Sequence, residues 1–399
     1  MARMTDAKGG MGPVSFVLAF LGSRAARAIF YQIVVIAAVL GAGYYLVSNV
    51  LDNLASRDIA TGFSFLAREA GFPIAEHAIE YSPASTYGRA YMVGILNTLQ
   101  VSAIGIVLAT VLGVVIGIAR LSSNWLVASL ASGYVETIRN TPLILQLFFW
   151  YALILALPGP KQALALLNDN LFISNRGVNF PLPDLEPMHG WMLVLVAAGV
   201  AAAAGLGIAS RRHQTRTGMT LPVFWPGVSL AIGPALILFF ASGMPLTFLV
   251  PELKGFNFVG GARLSPEFFA LVFGLTVYTA AFIAEVVRAG ILAVPRGQTE
   301  ASLAVGLKRG HALRFVILPQ ALRLIVPPLT NQYLNLTKNS SLAVAIGYQE
   351  LVSIGHTTIN QTGQAIEGIA MIMVIYLTIS LAISAFMNWY NKRIALKER

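Results

Sequence analysis

Eight stretches of predominantly apolar sequence, each long enough to cross a bilayer, constrain this chain more than any other feature. They cover residues 27–48, 91–119, 141–158, 190–209, 222–242, 267–290, 314–336 and 365–389. A helix rises about 1.5 Å per residue, so roughly 20 apolar residues cross a hydrocarbon core of about 30 Å. Lipid offers no hydrogen-bond partner, and a helix satisfies its own backbone groups within one segment. The expectation is an all-α, polytopic transmembrane bundle of about eight spans. The third stretch is short enough to need residues from the segment before it, and the seventh carries polar residues and prolines. The first follows Arg24 and Arg27, as a signal peptide would. Its apolar run exceeds the roughly 7–15 residues of a signal core, and no small-residue cleavage site follows, so an uncleaved anchor is expected.

Composition agrees. Only 11% of the 399 residues are charged and 56% are hydrophobic, against about 25% charged in a soluble domain. Mean hydropathy is +0.72. A net charge of +10 would suit nucleic acid. Basic residues also gather in the cytoplasmic loops of membrane proteins, and their distribution here supports that reading instead. No nucleic-acid partner is expected. The absence of cysteine excludes disulfides, thiolate metal sites and cysteine nucleophiles. His77, His189, His213, His311 and His356 are scattered without metal-ligand spacing, so no metal or cofactor is expected. No lysine follows a glycine anywhere, so the chain lacks a P-loop and any use of ATP falls to a partner.

Lysine and arginine set the orientation. With the N-terminus inside, cytoplasmic segments hold 18 of the 27, among them Arg3, Lys8, Arg120, Arg211, Arg212, Lys308, Arg309, Lys397 and Arg399. The outer segments hold seven: Arg57, Arg68, Arg89, Lys161, Arg176, Lys254 and Arg263. Arg323 and Lys338 lie in or near a span. An even number of spans also puts both termini, each basic, in the cytoplasm. The outer segments 49–90, 159–189 and 243–266 are long and rich in turn formers. No internal repeat is visible.

The loop 295–319 after the sixth span is cytoplasmic by the charge rule. Pro295 ends the preceding helix, and residues 297–305 read as a short helix with Ala301, Ala304 and Val305 on one apolar face. Gly306 is suited to a left-handed stop and turn. A second short helix follows, and Leu318-Pro319 opens the next span. Two readings stand: an ordinary interfacial loop, or a rigid helix–glycine–helix that seats in a groove on a soluble partner, with Arg296 and Glu300 pairing at its edge.

Other polar residues also carry two readings. Glu285 and Arg288 lie three apart on one face of the sixth span, as a structural ion pair with Arg288 snorkelling or as a gate. Lys338-Asn339-Ser340-Ser341 forms a polar break after the seventh span, either an outer loop or part of a translocation path with Gln332, Asn335 and Thr337. Arg139-Asn140-Thr141-Pro142 is a helix start with a basic anchor, with or without a transport role. Gly113-x-x-x-Gly117 permits close helix packing within the bundle.

Glu300-Ala301-Ser302, three residues, Gly306, nine residues and Val316-Ile317-Leu318-Pro319 resemble the EAA loop of ABC-importer permeases. Ser302 stands for the second alanine of that pattern and Val316 for its isoleucine. Gly297-Gln298, Pro319-Gln320-Ala321 and Lys338-Asn339-Ser340-Ser341-Leu342 resemble the polar amino acid uptake branch. So do Arg139-Asn140-Thr141-Pro142-Leu143 with Gln146, and Asn97-Thr98-Leu99. The resemblance covers roughly residues 88–158 and 265–390. It implies a core of five spans, the second, third, sixth, seventh and eighth, with the others as additions. That enlarged layout is similar to the permeases of general L-amino acid transporters.

The implied organisation is a tail at 1–26, an anchor at 27–48 and a periplasmic segment at 49–90. A permease domain follows at 91–390, carrying an insertion at 159–265, and a tail at 391–399. The resemblance gives coupling roles to Arg296, Gly297, Gln298, Glu300, Ala301 and Gly306, with Leu318 and Pro319 setting the following span. Candidates for a path or gate are Asn97, Thr98, Arg139, Thr141, Gln146, Glu285, Arg288, Gln332, Lys338, Asn339 and Ser340. Implied partners are a nucleotide-binding ATPase subunit, a second related permease forming a heterodimer, a periplasmic solute-binding protein and an amino acid substrate, at a bacterial inner membrane. ATP-driven movement of 296–312 would rock the spans between outward- and inward-facing states. The alternative, an ion-coupled secondary transporter, calls for intramembrane carboxylates or repeated broken helices. Only Glu285 answers that requirement. No nucleophile–base constellation supports an enzyme.

Overall fold

The computed structural model describes residues 24–56, 61–168, 170–184, 186–219, 222–243 and 247–394. Most of the two expected tails, with Arg3, Lys8, Lys397 and Arg399, and Arg57 of the outer loop lie outside these. Helices α1 (Arg24–Ser56), α2 (Tyr87–Ala119), α3 (Trp125–Arg139) and α4 (Leu143–Leu155) come first. An insertion holds strands β1 (Leu164–Leu166), β2 (Leu171–Ser174), β3 (Gly177–Phe180) and β4 (Leu182–Pro183), then helices α5 (Pro187–Thr217) and α6 (Phe224–Ala241). It closes with β5 (Phe248–Leu249), β6 (Glu252–Lys254), β7 (Asn257–Val259) and β8 (Ala262–Leu264). The chain continues through α7 (Pro266–Leu292), α8 (Arg296–Ala304), α9 (Arg309–Ala312), α10 (Leu318–Asn339), α11 (Leu351–Thr362) and α12 (Ala365–Ile394).

Among the described residues, seven helices are long and apolar enough to cross a membrane, and an eighth span arises if α3 and α4 count together. The expected third span at 141–158 needs correcting. Its helix has 13 residues, about 20 Å, which is short of the hydrocarbon thickness. It is one arm of a pair bent by 106°. The break falls at Asn140-Thr141-Pro142, because proline removes a donor and disfavours helical backbone in the residue before it.

Helix α7 is the centre: 72% of its apolar window is buried, against 6% for α5 and α6 and none for α1 and α12. Small residues let α2 lie against it. A Cβ on Gly113 would stand 2.6 Å from Ile283 Cβ, and one on Gly117 would stand 2.7 Å from Ala284 O. Leu147 of α4 and Ile325 of α10 fill the matching hollows at Gly274 and Gly290 of α7. The glycine pair Gly113–Gly117 thus serves packing inside the bundle, as expected.

The turn-rich segments 159–189 and 243–266 form short strands. Strands β1, β2, β3 and β8 make an antiparallel sheet in that order, and β4–β5 and β6–β7 pair separately. Ser265, directly after β8, caps α7 by accepting the Phe268 N–H at 3.0 Å, so the sheet is bonded in series with the central helix. Residues 61–86 close the same end. Phe65, Phe72 and Ile74 are buried with Tyr87 and Tyr91 of α2 and Leu351 and Ile354 of α11.

Candidate functional site

Helix α8 starts one residue after Pro295 and ends in a Schellman turn. Gly306 N–H donates to Leu303 O at 2.9 Å and Leu307 N–H to Ser302 O at 3.1 Å, with Gly306 at φ +86°. These bonds satisfy the final carbonyls, and the left-handed residue favours glycine. Arg296, Gly297, Gln298, Glu300, Ala301, Ala304 and Gly306 are exposed, and Val305 is 78% exposed. Ser302 faces inward, where its hydroxyl donates to Thr299 O at 2.7 Å. The departure from alanine thus falls on the buried side of the helix.

Behind the loop, α9 passes into a widened turn at Leu313–Ile317, where Leu318 N–H donates to Leu313 O, five residues back. This turn sits directly before Pro319, which has no N–H to give. Gln320 Nε2 donates to Gln298 Oε1 at 3.2 Å and Val316 O at 3.0 Å, tying the loop to the span that follows. An exposed helix with small residues on its face, fixed at both ends, can be pushed as one piece.

Glu285 and Arg288 do pair, Nη2 to Oε1 at 2.6 Å. Sequence reasoning missed the third member: Arg120, at the end of α2, binds the other carboxylate oxygen. Arg120 also donates to Ser132 of α3 at 3.3 Å. Its basic charge at a span end was legible; the approach of α2 to α7 was not. The cluster joins three helices at one end of the bundle. Beside it, Glu285, Arg139 and Gln332 line a cavity of about 380 Å³ with Phe282, Leu324 and Pro328. The Arg139 guanidinium lies 5.1 Å above the Phe282 ring.

The other expected path residues fall elsewhere. Asn97 and Thr98 are buried and hold the chain between α10 and α11. Asn97 Nδ2 donates to Gln349 O at 2.8 Å and Glu76 O at 2.9 Å. Thr98 Oγ1 donates to Gly94 O at 2.9 Å and accepts from Leu351 N–H at 3.3 Å. Gln146 Nε2 donates to Ile138 O and Thr141 O at 2.9 and 3.0 Å, clamping the α3–α4 bend. Thr141 donates to Thr137 O. The polar run from Lys338 is helical through Asn339, and Ser340 opens a tightened 3-10 turn to Ile346. There Lys338 is exposed, Asn339 half-buried, and buried Ser340 donates to Thr337 O at 2.7 Å.

A further residue without an expected role, Glu350, is fully buried. It caps α11 by accepting from Val352 and Ser353 N–H at 2.8 and 3.0 Å, and accepts from Tyr376 Oη at 2.9 Å. Burial raises its carboxyl above the ordinary value, opposed by those two amides. Its signal in the sequence was an acid directly before an apolar helical run.

Comparison with known proteins bears on this arrangement. Residues 212–396 match the family described as binding-protein-dependent transport system inner membrane component. The general L-amino acid transport system permease protein AapQ of Rhizobium johnstonii is 47% identical over 376 residues, 94% of this chain and 93% of that protein. The putative amino-acid ABC transporter permease protein YhdX of Escherichia coli is 51% identical, over 94% of this chain and 95% of its own. The glutamate/glutamine/aspartate/asparagine transport system permease protein BztB of Rhodobacter capsulatus is 42% identical, again over 94% and 95%. With such identity across nearly its whole length and a helical bundle of membrane-crossing length, the chain belongs to the inner-membrane permeases of binding-protein-dependent ABC importers.

Proposed function

We propose that the chain is one of two related permease subunits of an importer for L-amino acids, working with a separate ATPase and a periplasmic solute-binding protein. Both termini lie in the cytoplasm, and loop 295–319 seats in the ATPase. Three relatives carry amino acids in their names. The observation that carries the coupling role is the exposed Ala301–Ala304–Val305 face on a helix locked by the Gly306 turn. Movement of α8 passes to α10 through Gln298–Gln320 and the widened turn. The cavity holding Arg139, Glu285 and Gln332 serves as the gate region, with Arg288 and Arg120 securing Glu285. The domain limits follow the same reading, with 91–390 as the permease unit and 159–265 inserted.

The test is ATP-driven uptake of labelled L-amino acids into proteoliposomes holding the complete transporter. Gly306→Val places a β-branched residue at φ +86°, costing about 1–2 kcal/mol, without crowding a neighbour. Uptake and ATPase docking should fall together while membrane insertion is unchanged. Wild-type uptake by that variant overturns the coupling role. Uptake by the chain alone, driven by protons or sodium, overturns the ATP-coupled reading.

A further inference from the structure

At the end of the bundle that carries the sheet, a cavity of about 320 Å³ lies between residues 75–78, α2, β8 and α7. Glu76 and Arg263 both line it, with Gln100, Leu264 and Phe268. Glu76 is fixed in place. Its Oε1 accepts Ser265 N–H at 2.8 Å, and its backbone carbonyl accepts from Asn97. The neighbouring Ala75 N–H donates to Gln349 Oε1 at 2.7 Å. Arg263 is set by the sheet, where Asn179 of β3 is its partner, and its Nε donates to Arg176 O at 3.2 Å.

Glu76 and Arg263 therefore line one cavity from two elements, yet they form no ion pair within 4.0 Å; the ion pairs among the described residues lie elsewhere. Burial raises the Glu76 carboxyl and Ser265 opposes this; the nearby Glu267 carboxylate raises it further, and Arg263 adds a weaker attraction across the gap. Opposite charges held apart by rigid backbone suit a ligand that carries both signs on adjacent groups. Gln100, Leu264 and Phe268 also line a second cavity of about 390 Å³, whose remaining wall is apolar apart from Thr276 and includes Ile104, Val272 and Phe273. A ligand anchored by its two charges would turn any third group toward a mostly apolar wall, where the Thr276 hydroxyl is the one further polar group.

We propose that this cavity is a vestibule subsite for the zwitterionic head of a free amino acid, with Glu76 receiving the ammonium and Arg263 the carboxylate. The subsite reads the α-amino and α-carboxyl groups and leaves the side chain largely unread. It rests on the amino acid reading of the transporter.

The test measures equilibrium binding of radiolabelled L-glutamine to the purified permease–ATPase complex without the binding protein, beside ATP-driven uptake by the complete system. Wild type should bind saturably, with competition by other free amino acids but not by glutamine methyl ester or N-acetylglutamine. Glu76→Gln, which keeps an acceptor for Ser265, and Arg263→Gln should each weaken binding about tenfold or more. Arg263→Lys should recover part of the loss. Variants that bind and import like wild type overturn the subsite and leave the transporter reading intact. So does a wild-type complex that imports glutamine yet binds none without the binding protein. A complete wild-type system that imports no amino acid overturns both.

Discussion

Single residues here show polar groups placed for two different ends. Asn97 and Thr98 lie within an apolar span, where a polar side chain is costly unless paired. Their partners are backbone groups of Glu76, Gln349 and Leu351, so they latch one end of the bundle. Glu350 belongs to the same latch. Its folded pKa lies above the unfolded one, so its protonated form is the one folding favours. The stability it adds is fully present below the unfolded value and is lost as pH rises through the folded value. Thermal unfolding from mildly acid to alkaline pH should show this loss in wild type. Glu350→Gln, which retains the cap acceptor, should flatten it; an unchanged pH slope would remove Glu350 from the account.

Between elements, the shape follows from where glycine and proline sit. Helices α2 and α7 approach closely because Gly113 and Gly117 leave room for Ile283, Ala284 and Val287. Gly113→Val would force a Cβ to 2.6 Å from Ile283 and 2.9 Å from Ala280 O. Overpacking of this kind costs about 1–3 kcal/mol. The unfolding midpoint in detergent should drop for this variant and hold for Gly133→Val on α3, where no atom lies within 4 Å of a new Cβ. Equal midpoints would deny the α2–α7 contact its role. The bend between α3 and α4 follows the same logic. Pro142 breaks the helix, and Gln146 supplies donors to the carbonyls left behind.

Across the whole molecule, a buried core of α2, α4, α7, α10 and α11 carries the loop 295–319, while α1 and the α5–α6 hairpin stand apart. Helices α5 and α6 pack chiefly on each other, at Gly199 against Leu230 and Ala231. The hairpin leaves and returns through the β4–β5 pair, where Pro183 faces Phe248. Joining residues 183 and 248 by a short turn should therefore leave the remaining spans inserted and ATP-driven uptake measurable. Loss of insertion of the core on pulse-labelling would show that the hairpin is part of the folding unit.

Seven of the eight expected spans, the α8 helix, its stop at Gly306 and the Glu285–Arg288 pair were legible in the sequence, because each depends on residues within a turn or a span's length. Apolar length is a local quantity, and a glycine stop or an i,i+3 pair needs only the helix it sits on. The bent α3–α4 pair was half legible: its short second arm was visible, but its 106° turn depends on a clamp eight residues away from Ile138. Arg120 on Glu285 and Asn97 on Gln349 join residues 165 and 252 positions apart, and Glu76 shares a cavity with Arg263, 187 positions on. No local pattern encodes such pairings, because they exist only once helices have packed and the sheet has bound to α7. The sequence by itself determined a membrane bundle with an exposed helix–glycine turn between two spans; the tertiary structure alone decided which polar residues meet, since long-range contact is set by packing and not by spacing.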